Sequence, residues 1–109
     1  MIVKIKPLSV NKLFQGRRFR TKEYDRYQKD VFWQLKPMAI PDTKLKLKIT
    51  VAFSNKAADL DNSLKAFQDI LQKFYHFNDS QIYAIDATKV IVKKGHEFID
   101  FEILEFNQP

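Results

Sequence analysis

From Leu45 to Phe53 apolar and polar positions alternate strictly: Leu45, Leu47, Ile49, Val51 and Phe53 take one side, Lys46, Lys48, Thr50 and Ala52 the other. Neighbouring side chains of an extended chain point to opposite faces, so the pattern predicts a half-buried strand. The period then changes. Leu60, Leu64, Phe67, Ile70, Leu71 and Phe74 recur at three- and four-residue steps, which predicts an amphipathic helix from about Asp59 or Leu60 to Phe74. Asp61, Lys65, Gln68 and Gln72 flank its apolar arc. An earlier helix is predicted from about Lys22 to Leu35, where Tyr24, Tyr27, Val31 and Leu35 share a side, with Thr21 as N-cap and Pro37 and Pro41 ending it. Residues 2 to 6 read as a short strand stopped by Pro7, and Leu8 to Gly16 as a loop. Ile82 to Val92 and Glu97 to Phe106 read as two strands, with Lys93-Lys94-Gly95-His96 as the turn of a hairpin between them.

The order is strand, helix, strand, helix, strand, strand, the order of an α/β (α+β) fold: a small mixed sheet with two main helices packed on it. At 109 residues and 45% hydrophobic content, one domain over 1–109 with a single core is expected. No repeat or low-complexity tract interrupts it, and the loosest parts should be the Leu8 to Gly16 loop and the last three residues. Trp33 and the ten phenylalanines are assigned to the core or to a dimer contact. Phe98 to Phe106 suits an intersubunit sheet or a packed dimer surface.

Charge narrows the partners. Nineteen Lys and Arg against 13 Asp and Glu give a formal net charge of +6, which favours a polyanionic partner. The absence of cysteine excludes disulfides and thiolate metal sites, so any metal is held by oxygen or imidazole. His76 and His96 stand too far apart in sequence to suggest an imidazole site. The N-terminus lacks the apolar core of a signal peptide, and no stretch nears the roughly 18 apolar residues of a membrane span. A cytoplasmic protein without membrane contact is expected.

Against this basic background the acids of Asp59-Leu60-Asp61-Asn62 are conspicuous. Two carboxylates lie two residues apart at a predicted helix start, Lys65 follows one turn after Asp61, and Asp79 opens the next strand. Hard divalent cations in phosphoryl chemistry take a few carboxylates, water and substrate phosphate. Clustered carboxylates repel one another unless a cation compensates. Lys65 can offer positive charge to a phosphate, and Asn62 can orient an aspartate. A plainer reading fits the same residues: Asp59 or Asp61 caps the helix for about 0.5 to 2 kcal/mol, Asp61 and Lys65 form an ordinary i,i+4 pair, and Asp79 is a turn residue.

Asp59-Leu60-Asp61-Asn62, Lys65 and Asp79-Ser80-Gln81-Ile82 together resemble the signature of RusA-type Holliday junction resolvases, small metal-dependent endodeoxyribonucleases. Pro7-Leu8-Ser9-Val10-Asn11 resembles the family's amino-terminal loop, and the hairpin at the tail fits, so the likeness spans most of the chain. The resemblance implies that Asp59, Asp61 and Asp79 bind Mg²⁺ or Mn²⁺, that Lys65 is needed for catalysis, and that the enzyme is a homodimer. One departure stands out. Family members often carry a basic residue directly before the first aspartate, whereas here Ala57 and Ala58 separate Lys56 from Asp59.

Arg17, Arg18, Arg20 and Lys22, interleaved with Phe19, form a candidate DNA-binding arm, with Lys56 as a further phosphate contact. The reading favoured is metal-assisted hydrolysis of a DNA phosphodiester, with Lys65 assisting charge neutralisation. The resemblance supplies a four-way junction as substrate, and a two-fold dimer suits paired, symmetric nicks in recombination or repair. Two alternatives are a non-catalytic nucleic-acid-binding protein whose acids are helix caps, and a protein-interaction module whose charge serves solubility.

Overall fold

A computed structural model describes residues 1–8, 14–15, 19–20 and 22–107. Strand β4 (Leu45–Phe53) is the centre of a four-stranded sheet ordered β1-β6-β4-β5, in which β1 is Ile2–Val3, β5 Ile82–Ile91 and β6 Phe98–Glu105. Two-residue strands β2 (Phe14–Gln15) and β3 (Phe19–Arg20) pair separately, β2 inside the segment expected to be a loop and β3 in the basic arm that follows it. Helices α1 (Lys22–Gln34) and α2 (Leu60–Tyr75) complete the fold. The α+β architecture read from the sequence is the one observed. The Thr21 cap, Arg17, Arg18, Ser9 to Leu13 and the last two residues lie outside the described residues.

The alternation in β4 translates directly into packing. Leu45, Leu47, Ile49, Val51 and Phe53 are buried. Four of them, Leu47, Ile49, Val51 and Phe53, meet Phe67, Ile70 and Leu71 of α2 and Tyr24, Tyr27 and Val31 of α1 in one core. Phe67 packs edge-on against Phe101 of β6 at a centroid distance of 5.5 Å. The helices touch through Phe32 and Phe74, 5.4 Å apart, and through a polar clamp. In that clamp the Tyr24 hydroxyl donates to Asp69 at 2.7 Å and the Lys73 ammonium donates to the Tyr24 hydroxyl at 3.0 Å.

Two features of the topology depart from expectation. β5 runs parallel to β4 and β6 antiparallel to it, each on its own side, so Ile82–Ile91 and Phe98–Glu105 are not a hairpin. The turn before β6 does form, with Lys93 O accepting from the His96 N–H at 2.9 Å and Gly95 at φ 93°. It carries the chain past the end of β4 to the far side. Parallel neighbours need a long crossover, which α2 supplies between β4 and β5. Consequently β6 is interior, and the long free edge of the sheet belongs to β5 instead of Phe98–Phe106. The first strand is also shorter than expected. Both backbone groups of Lys4 are taken by the Gln34 side-chain amide, at 2.8 and 2.9 Å, in place of a neighbouring strand. Among the described residues no helix is long and apolar enough to cross a membrane.

Candidate active site

Asp59 occupies the N-cap of α2 in an extended conformation, φ −96° and ψ 113°. Its Oδ1 accepts from the backbone N–H of Asp61 at 3.0 Å and of Asn62 at 3.4 Å, and its Oδ2 accepts from Asn62 Nδ2 at 3.2 Å. A carboxylate has about four lone-pair sites, so three such bonds leave it able to bind a further electropositive group. The Asn62 amide thus bonds directly to this aspartate. The turn leading in is built by Asn55, whose Oδ1 accepts from the Ala57 N–H at 2.9 Å and whose carbonyl accepts from the Ala58 N–H at 3.1 Å.

Asp61 stands in the first turn of α2 and Lys65 one turn on, both exposed. Ser63, Ala66, Phe67, Ile70 and Leu71 turn to the core instead. The ordinary i,i+4 pair is not made: the ion pairs among the described residues are Met1 with Asp100 and Lys73 with Asp69. Capping is the work of Asp59, and Asp61 adds only first-turn negative charge that suits the helix dipole.

Asp79 lies elsewhere. It begins a 3₁₀ turn, Asp79–Gln81, that follows the other end of α2. Sixteen residues of helix separate it from Asp59, about 24 Å at the rise of an α-helix. The sheet repeats this separation: the turn leads into Ile82, opposite Leu45 at the start of β4, whereas Asp59 follows Phe53 at its end. Asp79 is not the cap of its turn. Asn78 Oδ1 accepts from the Ser80 N–H at 3.0 Å, and Gln81 Oε1 accepts from the Asn78 N–H at 2.9 Å. Among the described residues no three His, Asp or Glu of one chain gather in a metal-binding group. Asp59 and Asp61 thus form one acidic locus and Asp79 another.

Of the basic residues, Lys22 and Lys56 are exposed, the former opening α1 and the latter in the turn before Asp59. Arg20 lies in β3. Two residues near Asp59 escaped the sequence reading. Glu97 shares with Asp59 a cleft of about 240 Å³ that Lys6, Ser54, Asn55 and Ser63 also line. Its carboxylate accepts from the Ser54 hydroxyl at 2.7 Å and from the Gly95 N–H at 2.8 Å; the Ser54 bond above all holds its pKa below the usual value. Lys89 bonds the turn itself, donating to the carbonyls of Lys56 and Ala58. Lys89 had left a signal, because it interrupts the apolar alternation of Ile85, Ala87 and Ile91. Glu97 had none, since its nearness to Asp59 depends on β6 lying beside β4.

The locus has only oxygen donors, carboxylates on an exposed helix start, and that donor set fits a hard divalent cation with water and phosphate filling the remaining positions. The family model described as Endodeoxyribonuclease RusA matches residues 9–101, and the chain belongs to that family. Membership implies a Holliday-junction-resolving endonuclease that binds branched DNA. No curated protein matches the chain.

Proposed function

We propose that the protein resolves four-way DNA junctions by paired nicks that depend on Mg²⁺ or Mn²⁺, as a homodimer acting in recombination or repair. The single observation that carries this reading is the state of the α2 start. Among the described residues the exposed Asp61 and Lys65 form no ion pair, and they stand beside an Asp59 bonded by Asn62. A bound cation would supply Lewis-acid polarisation of the phosphate and a water of lowered pKa. Asp59 and Asp61 would hold it. Asn62 keeps the Asp59 carboxylate turned, and Lys65 offsets charge that builds on the phosphate oxygens as the phosphorus–oxygen bond breaks. Lys22, Lys56 and the arginines of the arm would hold the DNA backbone.

Asp79 enters through the second subunit. β5 is ten residues long, lies at the edge of the sheet and exposes Tyr83 at 56%, Ile85 at 46% and Ile91 at 44%. Long apolar edges of this kind are templates for pairing with another chain. Two copies of β5 paired antiparallel about a two-fold axis bring the Ile82 end of each beside the Ile91 end of the other. The same operation carries Asp79 of the partner subunit toward Asp59 and Asp61, which one chain alone keeps apart.

The test is cleavage of a four-way junction with Mg²⁺ or with EDTA, by wild type and Asp61→Asn. Wild type should cut symmetrically with Mg²⁺ only. Asp61→Asn should bind the junction as tightly and leave it intact. Wild-type protein that leaves junctions uncut with both Mg²⁺ and Mn²⁺ would end the enzyme reading.

A further inference from the structure

Lys89 is a group that the proposed chemistry does not use. It sits in β5 opposite Val51 of β4, and so on the face that packs beneath α2. A lysine so placed usually extends its stem to bring the ammonium into water. Here the ammonium turns back. Nζ lies 5.6 Å from the centroid of the Phe53 ring and donates to Lys56 O at 2.8 Å and Ala58 O at 2.5 Å. Two of its three donors are engaged by the turn between β4 and α2, one of them by the residue directly before Asp59. Among the described residues no carboxylate pairs with it. A cation ahead of a helix N-terminus opposes the helix macrodipole, and the two backbone carbonyls offset that cost here.

We propose that Lys89 is a positioning residue for Asp59: its ammonium ties β5 to the turn ending at Ala58 and so fixes the direction in which Asp59 presents its carboxylate. The internal backbone bonds of that turn both go to Asn55. They shape the turn without anchoring it to the sheet, and the lysine provides that anchor. Since β5 is also the strand proposed to join the subunits, Lys89 connects the subunit contact to the acidic locus. The inference rests on the reading of Asp59 as a metal ligand.

Lys89→Met keeps the aliphatic stem on Phe53 and removes the ammonium, while Lys89→Arg keeps charge and donors. In metal-free protein, the amides of Ala57, Ala58 and Asp61 should exchange about tenfold faster in Lys89→Met, with the β4 ladder unchanged as the control for folding. In a Mn²⁺ titration the Kd should weaken about tenfold, as loss of a group that orients a metal ligand typically does. Arginine should recover most of both effects, and junction affinity in EDTA should be equal in all three proteins. Unchanged exchange at those amides overturns the tie. Faster exchange with unchanged Mn²⁺ affinity overturns the positioning role. An Asp61→Asn control that binds Mn²⁺ as tightly as wild type places the failure in the metal reading, and the positioning role falls with it.

Discussion

The two ends of α2 carry the same residue type in opposite settings. At the N-terminus Asp59 is bonded by two backbone amides and the Asn62 side chain, with Lys89 and Asn55 holding the turn beneath it. At the other end Asp79 sits on a short turn whose capping is complete without it, because Asn78 and Gln81 close the box between them. A capping role explains Asp59 in part and Asp79 not at all. On the proposed reading each chain carries two halves of one site, a helix length apart, and a second copy would bring them together.

The sharpest way to break this comparison is to separate capping from charge at Asp59. Asparagine caps helices about as well as aspartate, so Asp59→Asn should keep α2 and its melting temperature while cleavage falls by at least about a hundredfold, more than loss of an outer-sphere partner costs. Asp59→Ala should lose the same activity and also about 1 kcal/mol of stability by denaturant unfolding. Equal activity in wild type and Asp59→Asn would reduce the acid to a cap.

A smaller effect is expected at the strand edge. Ile85→Lys places a charge on the proposed subunit contact, where burial without a partner is costly. It should weaken dimerisation by at least about tenfold on sedimentation, with cleavage recovering as protein concentration rises. Dimers of wild-type affinity would show that β5 is not the contact. A last contrast sets Asn78, the cap of the 3₁₀ turn, against Asp79 within it. Asn78→Ala should cost about 1 kcal/mol of stability with cleavage kept, whereas Asp79→Asn should leave stability alone and remove cleavage.

Much of this was legible before any coordinates. The β4 alternation and the arc of α2 fixed their elements to within a residue, because both segments bury one face and the period of burial is the period of the backbone. Asp59, Asp61, Asn62 and Lys65 were readable as a unit because a helix start fixes their mutual placement. What failed was everything that depends on which strands are neighbours. Alternation reports faces and not partners, so Lys93–His96 read as a hairpin although β4 lies between the strands it joins. Glu97 was invisible on the same grounds. Asp79 looked like a third member of the Asp59 locus, although the sixteen-residue helix between them already sets its two ends about 24 Å apart, and the parallel course of β4 and β5 keeps that separation.

The most direct test of a site shared between subunits is complementation. Asp61→Asn and Asp79→Asn, each inactive alone, are mixed, allowed to exchange subunits, and assayed for nicking of a four-way junction with Mg²⁺. If each site takes Asp59 and Asp61 from one chain and Asp79 from the other, the mixed dimer has one site carrying both substitutions and one fully intact. Nicking should then return to about a quarter of the wild-type sites at equal mixing. If all three acids act within one chain, every site in the mixture carries a substitution, and the absence of any recovered nicking by exchanged dimers would contradict the account.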